Sequence, residues 1–263
     1  MEVEIRSEYL KEFITEIIYK NRNPRNLKAL ELLEDISTNP ECVIHPNSNL
    51  YRSRIIKKGE KTNGSSPFFG FNAKDSFVPP IDKTRDLRAN YKYIPYLYCS
   101  NNPYIATAEV RPMLGCSVSV ATILVKEDLK LLDFTGSNKP PNISNEKIEF
   151  FSDLSNLYSK PVAYDDDTKD YIPTQFIAEY VKKLNYDGII FKSSLVPEIN
   201  EANLCRYNAV VFNYNKCKAI KSNVWTIAEN YFDFEQRDND SNPVNVESYI
   251  TELLSSCFNN VSS

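Results

Sequence analysis

The sequence predicts a mixed α+β protein: a mixed β core with surrounding helices, preceded by an N-terminal helical hairpin. Three observations carry that prediction. Apolar residues recur at helical spacing through the first 36 positions. From Leu50 onward, short β-rich runs alternate with stretches of helical periodicity. The composition, 42% hydrophobic and 12% aromatic over 263 residues, is ample for a packed core.

Residues 5–19 place Tyr9, Leu10, Phe13, Ile14, Ile17 and Ile18 at the i, i+3, i+4 spacing of an amphipathic helix. Asn23-Pro24 breaks it, and residues 26–36 read as a second helix. Residues 37–48, rich in Pro and Asn, read as a linker. In the body, residues 50–55 read as a strand, followed by a polar loop through Gly64-Ser65-Ser66-Pro67. Residues 94–99 read as a second strand. Asn102-Pro103 then supplies an N-cap and a first-turn proline for a short helix ending near Arg111-Pro112. Residues 117–126 and 130–135 are β-rich, and helices are expected at 145–158 and 172–185. Short strands follow at 188–192 and 209–213, with further β signals at 217–220. A polar linker at 236–243 leads to Val246, Tyr249, Ile250, Leu253, Leu254 and Cys257 on one helical face, the pattern of a docking helix. The strand order cannot be read from these signals, and the chain has no internal repeats.

Composition narrows the chemistry. Thirty-one basic against 35 acidic residues give a net charge of −4, which argues against nucleic acid as a bulk partner. The acidic start Met1-Glu2-Val3-Glu4 lacks the apolar run of a signal peptide, and stretches such as 118–125 are too short to span a bilayer. Six cysteines without a C-x-x-C pair point to a reducing compartment, so no membrane and a cytoplasmic location are expected. A single histidine, His45, in a Pro/Asn-rich loop leaves little for a Ser-His-Asp or Cys-His arrangement, and no ligand set at metal spacing is apparent. With six glycines the chain has neither a Walker loop nor a G-x-G-x-x-G. Arg, Tyr, Glu, Ser and Asn are left to carry any chemistry.

The informative stretch runs from Arg88 to Pro112. Arg88 lies before a strand, Tyr98 near that strand's end and Glu109 at the end of the next helix, so a cation, a ring and a carboxylate surround one strand–helix corner. Glu109 stands four residues after Ile105, on a face expected to be partly buried, where a carboxylate needs a partner and arginine is the obvious one. Taken singly, Arg88 reads as a loop arginine, Tyr98 as a core tyrosine and Glu109 as a solvent-facing helix end.

The pattern as a whole resembles the RES domain. Arg88-Ala89-Asn90, Tyr96-Leu97-Tyr98-Cys99-Ser100, Thr107-Ala108-Glu109-Val110-Arg111-Pro112, Gly115 and Ser117-Val118-Ser119-Val120-Ala121 follow that family's order, ten residues from Arg88 to Tyr98 and eleven on to Glu109. Upstream, Leu50-Tyr51-Arg52-Ser53-Arg54 resembles the opening strand, with Pro79-Pro80 in the loop after it. Downstream, Asp187-Gly188-Ile189-Ile190-Phe191-Lys192-Ser193-Ser194 and Asn208-Ala209-Val210-Val211-Phe212 resemble the closing blocks. The resemblance covers roughly residues 50–215. It implies a fold related to ADP-ribosyltransferases; with the flanking segments read from periodicity, the chain divides into a helical extension and linker (1–48), the NAD-binding catalytic domain (49–235), and a linker with a C-terminal docking helix (236–263). It also implies NAD⁺ as substrate rather than a bound cofactor, no metal, and a toxin's role with a cognate antitoxin as partner.

The site residues carried over are Arg88, Tyr98, Glu109 and Ser193, with Arg52 and Asn208 beside them; the Ser193/Ser194 doublet leaves that register open by one. Breaking the nicotinamide–ribose bond develops oxocarbenium character on the sugar, while the nicotinamide leaves without needing a proton, which suits a site without histidine. The resemblance then gives Glu109 the developing charge or the acceptor, Tyr98 stacking on nicotinamide or ribose, Arg88 the pyrophosphate and Arg52 a second phosphate contact. Ser193 and Asn208 would hydrogen-bond the ribose or amide. Three readings stand: NAD⁺ glycohydrolase or phosphorylase, protein ADP-ribosyltransferase, and a nucleotide- or partner-binding module without turnover. The chain departs from the family in the long stretch 194–207, expected to cover the pocket or bind a partner.

Overall fold

Three helices among the described residues begin where a side chain satisfies one of their first free amides. The computed structural model describes residues 4–25, 27–57, 70–160, 168–193, 195 and 206–228. Ser7 Oγ accepts from Leu10 N at 3.4 Å at the start of α1 (Glu8–Tyr19). After α2 (Lys28–Glu34), Asn102 Oδ1 accepts from Tyr104 N at 2.8 Å and Pro103 opens α3 (Pro103–Glu109), the cap and proline expected from the sequence. Ser144 caps α4 (Asn145–Ser159), and Pro173 sits in the first turn of α5 (Ile172–Lys183). No helix among the described residues is long and apolar enough to cross a membrane.

The strands are β1 (Glu41–Ile44), β2 (Asn49–Ile55), β3 (Leu97–Ser100), β4 (Ser117–Val125), β5 (Leu129–Asp133), β6 (Gly188–Lys192), β7 (Tyr207–Val211) and β8 (Cys217–Thr226). Among the described residues they form one eight-stranded sheet in the order β1-β5-β6-β7-β3-β2-β4-β8. Every neighbouring pair is antiparallel except β5 and β6, where Leu131 stands opposite Gly188. Parallel neighbours need a crossover long enough to return the chain to the same end of the sheet, and α4 and α5 lie in that connection. The result is the mixed α+β architecture expected.

Alternation along the central strands divides the core in two. Tyr96, Leu132, Ile189, Phe191 and Val210 join Leu10, Phe13, Leu33, Phe150, Leu154 and Ile177 from the helices. Leu97, Cys99, Leu131, Ile190, Ala209 and Val211 point the other way and join Leu50, Ala121, Ile123 and Val125. The N-terminal hairpin shares its core with α4 and α5. Asp153, fully buried on α4, accepts from the backbone amides of Arg6 and Ser7 at 2.7 and 2.8 Å. Lys147, also buried, donates to Asp35 O and Thr38 Oγ1, both at 2.7 Å.

Some boundaries differ from the sequence reading. The supposed linker 37–48 contains β1, because Cys42, Val43 and Ile44 give β5 an antiparallel partner. The strand expected at 94–99 begins only at Leu97, where pairing to Val211 starts after Pro95. The last strand runs on to Thr226 through the polar Lys221-Ser222-Asn223. An edge strand exposes one side and needs no apolar run there, and β8 pairs along the length of β4.

The chain divides into two compact units, Met1–Ile227 and Ala228–Ser263. The linker and docking helix expected at 236–263, the loop at 64–67, and Ser194 with most of 194–207 lie outside the described residues.

Candidate functional site

Four adjacent strands, β6, β7, β3 and β2, bring the sequence-predicted residues together, and α3 adds the carboxylate. The register places Ser100 opposite Asn208 across β3 and β7, and opposite Tyr51 across β3 and β2. Directly opposed residues share a face, so Tyr98, Ser100, Asn208 and Val210 lie on one side of the sheet. Glu109 is the last residue of α3, whose final turn is tied to β2: Thr107 Oγ1 donates to Pro103 O at 2.8 Å and therefore accepts from Ser53 Oγ at 3.0 Å. The Glu109 side chain is exposed. Its Oε1 accepts from Asn208 Nδ2 at 2.6 Å and from Ser193 Oγ at 2.7 Å. Asn208 Oδ1 in turn accepts from Ser100 Oγ at 2.5 Å. Among the described residues Oε2 of Glu109 accepts nothing, so one carboxylate oxygen is held and the other is open.

Glu109, Asn208 and Ser100 border a cavity of about 650 Å³, large enough for a dinucleotide. Among the described residues its wall carries Arg52, Lys83, Arg85, Arg88, Arg111 and Lys160 against the one carboxylate of Glu109, in a chain whose net charge is −4. A concentration of positive charge in one concave site of an acidic protein selects an anionic ligand.

Tyr98 borders the cavity and fixes the Arg88-Ala89-Asn90 turn through its hydroxyl, donating to Asn90 Oδ1 at 2.7 Å and accepting from Ala89 N at 3.1 Å. Burial holds the Tyr98 phenol well above its ordinary pKa, against the opposing pull of the Ala89 amide and the Arg88 charge. Gln175 of α5 secures the same turn, donating to Leu87 O at 2.9 Å and Asn90 O at 3.0 Å. Arg88 donates from Nη1 to Leu157 O at 2.9 Å, and its guanidinium carbon lies 5.5 Å from the centre of the Tyr171 ring. That tether aims the arginine along the cavity wall.

Arg52 stands apart. By alternation it shares the side of Leu50 and Cys99, opposite Tyr98 and Ser100, and its Nη1 donates to Ser76 O at 2.9 Å. Burial, with the neighbouring Arg54 charge, pushes its pKa down to about 10. It borders the cavity without joining the cluster around Glu109. Ser193 meets Glu109 from outside the group of residues that border the cavity.

The sequence expectation for Glu109 needs correcting. Its carboxylate is exposed, not part-buried, and the partners of Oε1 are a hydroxyl and an amide where arginine was expected. The helix ends at this residue, so its side chain leaves the apolar stripe and faces the cavity. Asn90, Ser100, Arg85 and Arg111 were not singled out, although Asn90, Ser100 and Arg111 stand inside the quoted motifs. Only pairing across strands and packing of α5 reveal what they touch. Among the described residues, no group of three or more His, Cys, Asp or Glu is placed to hold a metal ion.

Comparison with known proteins gives a match to the RES domain model over residues 53–233, most of the chain. No curated protein matches. Among solved structures, a chain of the MbcT-MbcA toxin-antitoxin complex from M. tuberculosis is similar at 16% identity, covering 76% of this chain and 94% of that one with a TM-score of 0.41. At that level of likeness, function has to be argued from this chain's own residues.

Proposed function

The chain belongs to the RES domain family, and on that premise we propose that it cleaves the nicotinamide–ribose bond of NAD⁺. The observation that carries the reading is the Glu109 carboxylate: among the described residues, one oxygen is held by Ser193 and Asn208, the other is open, and the other charges at the cavity wall are positive. The bond's electron pair leaves with nicotinamide, which departs neutral, and positive charge builds on the ribose. A carboxylate fixed in advance stabilises that charge without reorganising. Its open Oε2 then takes the proton of the attacking acceptor. Arg88, tethered to Leu157 O, offers its planar fork to the pyrophosphate. The ring of Tyr98 provides a flat wall for nicotinamide or ribose. Arg52, half-buried and turned to Ser76, adds a positive field beside the phosphates and no direct contact.

Consumption of cellular NAD⁺ would make the chain a toxin, held in check by a protein partner that occupies or covers the cavity. Purified protein incubated with NAD⁺, with and without inorganic phosphate, tests the reading by mass spectrometry of the products. Nicotinamide with ADP-ribose identifies water as acceptor, and a phosphorylated ADP-ribose formed only with phosphate identifies phosphorolysis. ADP-ribose attached to an added protein extract identifies transfer. Intact NAD⁺ under all three conditions refutes the proposal.

A further inference from the structure

We propose that Ser100 is a positioning residue that sets the orientation of the Asn208 carboxamide and, through it, which oxygen of Glu109 is left to act. The chain of hydrogen bonds has one possible direction. Glu109 Oε1 can only accept from Asn208 at 2.6 Å, so Asn208 must present its NH₂ to Glu109. Its Oδ1 then faces Ser100 Oγ at 2.5 Å, and Ser100 must donate. Both residues are buried, at 2% and 7% exposure, so solvent cannot readily replace the donor. Among the described residues Ser100 is the one donor to Oδ1. The two residues are also opposed across β3 and β7, so the backbone ladder sets the distance between them. With Ser100 as alanine, Oδ1 is left buried and unpaired, a cost relieved when the carboxamide swings its oxygen towards another donor. That swing draws the NH₂ away from Glu109 Oε1. The carboxylate, released on that side, can then turn, and Oε2 is no longer the open oxygen. Ser193 alone cannot prevent this, because its single proton constrains only one side of Oε1.

The catalytic consequence rests on the NAD⁺ reading; the positioning itself does not. Two measurements separate them. The first follows the side-chain amide of Asn208 by nitrogen-15 NMR, with the resonance assigned by its absence in Asn208→Asp. A hydrogen bond to a carboxylate displaces the bonded proton downfield, and Ser100→Ala should lose that displacement while Ser100→Thr keeps it. The second is steady-state NAD⁺ cleavage. Ser100→Ala should lower kcat about tenfold with KM within about twofold, and Ser100→Thr should recover most of the loss. In an Asn208→Ala background, Ser100→Ala should change kcat by less than about twofold, since it acts through Asn208. An unchanged amide displacement in Ser100→Ala overturns the inference whatever happens to NAD⁺. Effects that multiply in the double variant overturn it as well. A wild-type protein inert towards NAD⁺ that still loses the displacement in Ser100→Ala would refute the NAD⁺ reading and leave Ser100's role standing.

Discussion

Replacing Glu109 with glutamine removes one negative charge and very little else. The glutamine side-chain oxygen can occupy the place of Oε1 and accept from Ser193 and Asn208, now at 2.7 and 2.6 Å, while its NH₂ takes the place of the open Oε2. Because the residue is exposed at a helix end, stability should barely move, within about 2 °C of melting temperature. Activity should respond strongly. A unit negative charge about 4 Å from a developing positive one, at an effective dielectric of about 20, contributes about 4 kcal/mol. At about 1.4 kcal/mol per tenfold in rate this approaches a thousandfold, and solvent around an exposed carboxylate reduces it to somewhere between about a hundredfold and a thousandfold. Glu109→Asp separates charge from placement: it keeps the charge but withdraws it by about 1.5 Å, one carbon–carbon bond, and gives up both hydrogen bonds. The assay is nicotinamide release, quantified by liquid chromatography at saturating NAD⁺ with matched melting curves. Release by a folded Glu109→Gln protein within tenfold of wild type would refute the reasoning, because the charge would then be doing nothing in the transition state.

Arg88→Ala, measured by calorimetry in the Glu109→Gln background so that NAD⁺ survives, should weaken binding by about ten- to a hundredfold, in keeping with loss of a charged hydrogen-bonding fork; a dissociation constant within twofold removes the phosphate role. Gly188→Ala should lower stability by about 2–3 kcal/mol, a fall of roughly 5–10 °C in melting temperature. A Cβ there would stand 2.3 Å from Val210 O and 3.0 Å from Val211 Cα, backbone atoms that cannot yield; an unchanged melting temperature would show that the strands shift freely. Iodoacetamide at pH 8 should label half-buried Cys42 and Cys116 before Cys99 and Cys217. Burial raises both of the latter thiols, Cys217 to about 11, so its labelling should climb about tenfold per pH unit until near that value. Peptide mapping that finds Cys217 modified as fast as Cys116 at pH 8 counts against its buried placement.

Much of the fold was legible in the sequence because it depends on local signals. The apolar spacing of Leu10, Phe13 and Ile17, the Asn102-Pro103 start of α3 and the alternation along β4 each follow from short-range sterics and capping. The RES motifs likewise pointed to Arg88, Tyr98 and Glu109 before any distance was known, and the fold places all three on one cavity wall. Signals failed where the partner was distant. Strand β1 went unread because four residues near Pro40 and Pro46 say nothing until β5 pairs with them, and β8 was cut short because an edge strand tolerates polar residues on its open side.

The sequence by itself determined which residue types were available for chemistry: one histidine, few glycines, and an ordered set of Arg, Tyr, Glu, Ser and Asn. Tertiary structure decided what each of them faces. It turned Arg52 to the opposite side of the sheet from Tyr98, brought Asn208 to Glu109 across 99 residues of chain, and set Ser100 behind Asn208 as its donor. The physical reason is the same in each case. Side-chain direction in a strand flips with every residue, and hydrogen-bond partners are chosen by register between strands, a quantity fixed by packing of the whole sheet rather than by any local stretch of sequence.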